Sequence, residues 1–217
     1  DYTNDYNGAS QEGIGMTQAT IRKGRRMSTA YCYLDPARGR SNLHIQANAL
    51  TECLVFAGKR CTGVRYNLGG QVREAKANRE VIVSAGSINS PQLLELSGIG
   101  QATRLKELGI GVVHNLQGVG ENLRDHYSPR MKWSVPRELG LTYNDKGRGL
   151  GLVWQALKYA LSDKGLLGLP AAPLRAYIKT REGLEAPDAA ISWIPFLANE
   201  SFKLHEDSGV TAITHVL

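Results

Sequence analysis

The stretch from Gly86 to Gly100 reads GSINSPQLLELSGIG, and it is the most informative part of the sequence. Ser90 stands where a helix N-cap is expected, and Pro91 stands at the first helical position. Leucines follow at helical spacing, and Gly98 is a typical stop signal. The stretch therefore predicts a helix that has Ser90 as its N-cap and Pro91 as its first residue and that ends before Gly98.

A short apolar run, Val81-Ile82-Val83, precedes this helix. A continuous run of this kind predicts a strand buried on both faces of a parallel sheet. The small residues Ser84 to Ser87 come next, and they allow the backbone to approach a bulky planar or phosphate-bearing ligand closely. A plain strand-to-helix turn packed against a sheet fits the same residues, so this pattern alone leaves both interpretations open.

The elements on either side extend this pattern. A second helix is expected over 102–108, followed by a strand over 110–113, and together they indicate an α/β arrangement. Upstream, four strand-like runs separated by glycine-containing turns predict an antiparallel meander. These runs cover residues 43–47, 53–56, 61–66 and 71–75.

Both ends of the chain carry further elements. A loose alternation over 14–21 predicts a strand that leads into a basic turn at Lys23-Gly24-Arg25, and a short helix is expected from Ala30 to Leu34. Towards the C-terminus the sequence predicts a helix over 152–161 and strands near 174–178 and 189–194. The composition changes after His126, which suggests a domain change near residue 128.

Composition excludes several classes of protein. The 217 residues are 42% hydrophobic and 21% charged, as in a globular protein, and no run of about 18 apolar residues could span a membrane. Cys32, Cys53 and Cys61 lack CxxC spacing, which argues against a disulfide framework or a metal site and favours a reducing compartment. A cytoplasmic location is therefore expected, with peripheral association at a membrane left open.

Charge and the chain ends lead to two more expectations. The net charge is +6, but only Arg22, Lys23, Arg25 and Arg26 form a basic cluster, which favours a solvated or cofactor-facing turn over a nucleic-acid patch. The first ten residues are mostly polar and lack an initiator Met, while the last seven are rich in apolar residues, namely Ala212, Ile213, Val216 and Leu217. These features predict an internal piece of a longer protein.

Three segments, in order, carry a resemblance to a known family. The stretch Gly86–Gly100 resembles the second signature of the glucose-methanol-choline oxidoreductases at every constrained position. The stretch Gly118–His126, which reads GVGENLRDH, is similar to the family segment that passes beside the flavin. Upstream, Gly24–Ala30 is similar to the family's glycine-arginine-serine turn. These similarities cover roughly residues 8 to 130.

The resemblance implies FAD as cofactor, and it implies a role for particular residues. It places Thr51 at the adenine ring, Ala85 to Ser87 near the ribose and pyrophosphate, and the 122–126 segment beside the flavin. For His126 taken alone, a structural role is favoured over a catalytic one. The residues expected to contact the cofactor are Thr51, Ala85, Gly86, Ser87, Asn122, Asp125 and His126.

The resemblance also implies a reaction. A small-molecule primary alcohol would be oxidised to an aldehyde by hydride transfer to flavin N5, with oxygen or a quinone-like compound as the electron acceptor. Residues 1–127 would be part of an FAD-binding, doubly wound domain with a β-meander, and residues 128–217 part of a substrate domain with an antiparallel sheet. The fold class is then α/β with α+β character.

Two family features are absent from the sequence. No Gly-x-Gly-x-x-Gly follows an opening strand, and the catalytic histidine pair is expected beyond residue 217. No catalytic or metal-binding residue is therefore assigned, and the chain alone is expected to be inactive and to bind FAD weakly at best. Two alternatives stay open: a non-catalytic basic α/β binding module that holds an anionic partner, and a lyase built on the flavin scaffold.

Two finer expectations follow from the same alignment. Pro173 stands near the position of a glutamate in choline-oxidising members, Arg175 follows it, and no carboxylate lies between Lys164 and Lys179. A fixed cation would repel choline, so uncharged primary alcohols are expected to be preferred. Gly86 is expected not to tolerate a bulky side chain, because the added atoms would meet the cofactor or the following helix.

Overall fold

The computed structural model describes residues 1–201 and 203–217. Within these residues the chain forms twelve strands and five α-helices. The strands are β1 Gly13–Met16, β2 Ile21–Arg22, β3 Arg25–Arg26, β4 Ala49–Ala57, β5 Arg60–Leu68, β6 Gln71–Lys76, β7 Ile99–Gly100, β8 His114–Asn115, β9 Arg130–Ser134, β10 Leu174–Ile178, β11 Ala189–Ile194 and β12 Gly209–Val216. The helices are α1 Asp35–Ala37, α2 Gly86–Leu96, α3 Ala102–Glu107, α4 Tyr143–Lys146 and α5 Gly149–Ser162.

The chain folds into two compact units. The sheet unit comprises residues 1–40 and 126–217, and the meander unit comprises residues 41–125. The sequence placed residues 1–127 together, but β1 pairs with β10 in the register Gly13 to Tyr177, which brings residues 1–40 into the sheet unit. Local patterns carry no sign of such a distant strand pairing, and this is why the sequence did not indicate it.

The sheet unit is built on a five-stranded antiparallel sheet in the order β1-β10-β11-β12-β9. Its buried positions are small: Ala176, Ala190 and Ala212 lie on three neighbouring strands and are each at most 6% exposed. The predicted strands at 174–178 and 189–194 are confirmed. Strand β9 was not predicted, although its sequence RMKWS alternates polar and apolar residues; all five residues are exposed in the structure.

The meander unit contains the expected antiparallel meander, with strand order β4-β5-β6. The predicted strand over 43–47 is wrong: these residues form no strand, and β4 begins at Ala49, directly after Asn48 takes a left-handed φ of 57°. A short parallel pair joins β7 to β8, with Ile99 opposite His114. The second strand of this pair starts after the predicted range of 110–113.

The run Val81-Ile82-Val83 is not the buried strand that the sequence predicted. It has no strand partner among the described residues, and the Ile82 side chain is 77% exposed. An apolar run indicates what a segment can bury, but a strand also needs a hydrogen-bonded neighbour. The prediction considered the apolar character of the run but not whether a neighbouring strand is present.

Helix α2 starts earlier than the sequence indicated. It begins at Gly86, and Pro91 lies inside it instead of at its first position. The Ser90 hydroxyl does serve the helix start, because it accepts a hydrogen bond from the Ala85 backbone N–H at 3.1 Å. The predicted end is confirmed, since the helix stops before Gly98, which has a φ of 83°.

The remaining helices agree well with the sequence pattern. Helices α3 and α5 cover the two predicted segments, and a helical segment is present from Ala30 to Ala37, with wide π-type turns in its first half. The strand predicted over 14–21 is interrupted after Met16 and resumes as the β2–β3 hairpin around Lys23 and Gly24. Among the described residues, no helix combines the length and apolar character needed to cross a bilayer.

Candidate functional site

An apolar groove in the meander unit brings together two of the residues expected to contact a cofactor. Thr51 on β4 and Ala85 at the start of α2 both line this groove, which has a volume of about 420 Å³. The segment 81–85 forms one wall, and leucines of β4 and α2 form the others. We call it the Thr51–Ala85 groove. Its volume lies within the range of ordinary small-molecule sites, about 300–1,000 Å³.

One buried serine fixes the position of α2 against β4. The Ser97 hydroxyl donates to the Leu93 carbonyl at 2.5 Å and accepts the Leu54 backbone N–H at 2.8 Å. Ser97 is 8% exposed and Leu54 is also 8% exposed, so water does not compete strongly for either group. This bridge holds two walls of the groove together.

The chemistry of the groove is that of a binding surface. Its lining among the described residues contains no titratable side chain, and its polar groups come from Thr51, Ser84, Asn89 and Gln92. Apolar walls with a few polar groups are typical of sites that hold a flat organic ring system. The groove can therefore bind a ligand, but its own side chains offer no general acid or base.

Sequence reasoning missed Asn89 and Gln92. They lie one helical turn apart on α2, and both line the groove. Their i, i+3 spacing places them on the same side of α2 as Leu93 and Leu96, which line the groove too. A helical projection of α2 started at Gly86 places Asn89 and Gln92 on the side of Leu93 and Leu96.

A second cavity, of about 620 Å³, lies on another side of α2 within the same unit. Ser87 lines it together with residues of the glycine-rich segment 118–123. Gly120 has a φ of 80°, and a Cβ there would lie 3.3 Å from the Glu95 carboxylate oxygen Oε1. The positive φ favours glycine at this position, because side chains rarely adopt it. The structure thus brings Ser87 next to the second segment that resembles the flavoenzyme family.

The last three candidate residues lie where the two units meet in sequence. Asn122 belongs to the meander unit and takes a left-handed φ of 57°, which asparagine tolerates better than most residues. Asp125 is the last residue of that unit, and His126 is the first of the returning part of the sheet unit. The pattern alone had grouped these three with the glycine-rich segment.

The His126 ring is held by contacts within the sheet unit. Its Nδ1 lies 2.7 Å from the Val216 carbonyl oxygen, so it is Nδ1 that carries the proton and donates. Its ring meets the His215 ring edge-on, with centroids 6.2 Å apart. Burial, followed by the charges of Arg175 and His126, lowers the pKa of His215. The structural role expected for His126 stays a prediction.

Comparison with known proteins gives the family. The GMC oxidoreductase family profile matches residues 1–128. The oxygen-dependent choline dehydrogenase of Chromohalobacter salexigens is 47% identical over 164 residues, covering 69% of this chain and 29% of that protein. The mitochondrial choline dehydrogenase of Homo sapiens is 40% identical over 193 residues, covering 89% of this chain and 32% of that protein. The chain thus spans about a third of the length of the curated relatives it matches.

Solved structures share the fold. A formate oxidase matches all of this chain and 42% of its own, with a TM-score of 0.87 at 20% identity. The pyridoxine 4-oxidase from Mesorbium loti matches all of this chain and 38% of its own, with a TM-score of 0.76 at 21% identity. At such identities the likeness concerns the fold alone. The profile match over residues 1–128, more than half of the chain, assigns this protein to the GMC oxidoreductase family.

Proposed function

We propose that this chain is part of an FAD-dependent oxidoreductase that acts on the CH–OH group of a small primary alcohol and yields an aldehyde. The observation that carries the proposal is the Thr51–Ala85 groove. Thr51 and Ala85 were assigned from the sequence to the two ends of the adenosine moiety, and they line one apolar groove although 34 positions separate them. The alternative of a basic binding module gives no reason for this coincidence or for the family match over residues 1–128.

The groove fits the adenosine part of FAD. Its apolar walls suit the faces of a flat ring, while Thr51, Asn89 and Gln92 offer polar groups for the ring edge or the ribose. The first-turn amides of α2 have no partners within the helix and suit the negative charge of a pyrophosphate. When bound, FAD supplies the electron acceptor that takes the hydride of the alcohol carbon.

In the proposed enzyme, residues of this chain would bind FAD and orient it. In this proposal β4 and α2 hold the cofactor, and the Ser97 bridge keeps these two walls at a fixed separation. The groove would hold the adenosine part of FAD, so its lining does not decide which residue accepts the alcohol proton. For that step we propose a histidine, as the family resemblance implies. Oxygen or a quinone-like compound would reoxidise the cofactor.

The cofactor site can be tested with a matched pair of glycines. Gly86 and Gly109 have φ angles of 87° and 73°, and a Cβ at either would meet no atom within 4 Å. Both Gly→Val substitutions thus carry a similar conformational penalty, but only Gly86 adjoins Ala85 of the groove.

In the full-length protein, Gly86→Val is expected to lower the flavin content measured by visible absorbance after purification. Gly109→Val should retain wild-type flavin, because Gly109 follows α3 and does not line the groove. Equal flavin content in the two variants would show that the start of α2 does not face the cofactor. A full-length protein that stays colourless and cannot be reconstituted with FAD would refute the proposed function itself.

For the substrate we propose a primary alcohol without a positive charge. Arg175 on β10 is held in place by Ser192 Oγ at 3.1 Å and by the Tyr177 ring, 6.0 Å from its guanidinium carbon. This supports a fixed cation in the sheet unit. The choline dehydrogenase names of the relatives favour the opposite preference.

The decisive measurement compares kcat/KM for choline with that for its uncharged carbon isostere on the full-length enzyme. The two compounds differ only in the charged centre, so their ratio isolates the effect of charge. We expect the isostere to be preferred. If choline has the higher kcat/KM, the interpretation of Pro173 and Arg175 is wrong, and a carboxylate elsewhere in the protein lines the pocket.

A further inference from the structure

One face of the five-stranded sheet gathers polar side chains from three neighbouring strands. Arg175 on β10 lies opposite Ser192 on β11. Tyr177 lies opposite Ala190, which in turn lies opposite His215 on β12. Paired residues share a face of the sheet, and so do residues two apart along a strand. The sheet therefore brings a guanidinium, a phenol, a hydroxyl and an imidazole to the same side.

The Arg175 guanidinium on this face is held by neutral partners. Its Nε donates to the Ser192 hydroxyl at 3.1 Å, and its Nη1 donates to the Tyr177 hydroxyl at 3.4 Å. Arg175 is half-buried, yet it forms no ion pair with any carboxylate of residues 1–201 and 203–217. A guanidinium fixed in this way can still donate through Nη2, and its planar geometry matches that of a carboxylate.

His215 offers a second polar group beside this guanidinium. Its Nδ1 lies 2.8 Å from the Ser128 hydroxyl oxygen, and its Nε2 has no hydrogen-bond partner in the part of the chain that the structure describes. Burial, followed by the charges of Arg175 and His126, lowers the pKa of His215, so Arg175 and His215 are close enough to interact. An anion between the two side chains would offset the repulsion that Arg175 exerts on a protonated His215.

A cavity of about 240 Å³ continues the same face of the sheet. Ile213 lies opposite Ser192, and Ile194 lies two residues beyond Ser192 on β11. Both isoleucines line the cavity, together with the ring of Phe196. An apolar space thus begins beside the hydroxyl that holds Arg175. The charged residues of its lining are exposed, and they are Arg130, Lys132 and Glu200.

We propose that this face of the sheet binds a small organic acid, with the carboxylate at Arg175 and His215 and a short apolar chain along Ile213 into the cavity. One fixed guanidinium beside a neutral imidazole matches a single negative charge. A phosphate would need further cations or several backbone N–H groups. The site lies within the sheet unit and shares no residue with the Thr51–Ala85 groove.

Calorimetric titration of the full-length protein compares hexanoate with hexanamide, which has nearly the same shape but no charge. Wild-type protein is expected to bind hexanoate more tightly. Arg175→Gln should weaken hexanoate binding at least about tenfold and hexanamide binding less than about threefold. Arg175→Lys keeps the charge but loses the planar donor pair, so its affinity for hexanoate should be intermediate. The matched control is Arg73→Gln, because Arg73 is an exposed arginine on β6.

The imidazole and the cavity are tested separately. His215→Asn can keep a polar contact with Ser128 but removes Nε2, and it should weaken hexanoate binding about threefold to tenfold. Ile213→Ala should weaken the binding of hexanoate by a similar factor and leave that of acetate unchanged, because acetate has no chain to enter the cavity. Circular dichroism verifies that every variant is folded.

The acid group can belong to the alcohol substrate or to a separate ligand, and kinetics distinguishes the two. This arm rests on the proposed oxidoreductase function, whereas the binding measurements do not. If the acid group belongs to the substrate, the ω-hydroxy derivative of hexanoate should have a higher kcat/KM than hexanol, and Arg175→Gln should remove the difference. If it belongs to a separate ligand, hexanoate should bind without raising the KM for hexanol.

Equal binding of hexanoate and hexanamide by the folded wild-type protein would overturn the proposal. That result would mean that a carboxylate of the protein itself, outside these 217 residues, pairs with Arg175. A preference for hexanoate that survives Arg175→Gln would overturn it too, because the acid would then bind elsewhere.

Discussion

Two glycines that end neighbouring helices allow a quantitative test of close packing in the meander unit. Gly98 follows α2 and Gly109 follows α3, with φ angles of 83° and 73°. An added Cβ at Gly98 would lie 2.2 Å from the Gly111 carbonyl oxygen, whereas at Gly109 it would meet no atom within 4 Å. The two sites therefore share the backbone conformation and differ in the space available.

The expected losses of stability follow from this difference in available space. Either Gly→Ala substitution places a side chain in the left-handed region, which costs about 1–2 kcal/mol. At Gly98 the backbone must also move, which adds about 1–3 kcal/mol. The movement disturbs the Gly98 carbonyl, which accepts the backbone N–H groups of Val113 at 2.8 Å and His114 at 3.1 Å. We expect a total of about 2–5 kcal/mol at Gly98 and about 1–2 kcal/mol at Gly109.

Hydrogen exchange of the full-length protein measures the loss of stability in this part of the fold. Amide protection in the segment 98–115 should fall about tenfold for each 1.4 kcal/mol of lost stability, and Gly98→Ala should lower the protection more than Gly109→Ala does. The midpoint of urea unfolding, compared between variants that have the same m-value, measures the loss of stability of the whole protein. If the two variants lose the same protection, the contact between Gly98 and Gly111 does not constrain the fold.

Two further predictions concern buried hydrogen bonds. Ser97→Ala should lower the free energy of unfolding in urea by about 1–3 kcal/mol, because the buried Leu54 N–H loses the Ser97 hydroxyl as its acceptor. Ser162→Ala, at an exposed site, should cost under about 0.5 kcal/mol, and equal effects would contradict the bridging role of Ser97. Hydrogen bonds from the Ser208 and Thr142 side chains hold the pKa of Asp145 below its usual value. The Asp145 carboxylate therefore stabilises the folded state fully above about pH 4, and this contribution is lost as the pH falls through the lowered pKa. Asp145→Asn should therefore make the urea midpoint less sensitive to pH below about pH 4, and an unchanged acid profile would exclude this contribution.

The candidate site was only partly predictable from the sequence. The family resemblance identified Thr51 and Ala85, and the structure places both in one groove. It did not identify Asn89, because the first residue of α2 was assigned to Pro91, five residues too late. Gln92 lies inside the predicted helix, but the sequence does not show that this side of α2 lines a groove. A proline inside a helix resembles a proline at the first helical position when only local preferences are considered. The hydrogen bond from the Ala85 N–H to the Ser90 hydroxyl, which links the helix start to its second turn, has no local signature.

The sequence by itself determined the elements whose signals are local: the meander strands between glycine turns, the ends of α2 and α3 at Gly98 and Gly109, and the family. These depend on backbone preferences and spacing within a few residues. Only the tertiary structure decided that β1 joins β10, that Val81–Val83 has no strand partner among the described residues, and that the apolar side of α5 faces outwards. Each of these depends on which distant segment supplies hydrogen bonds or apolar surface, and an apolar pattern shows that a face can be buried without showing what buries it.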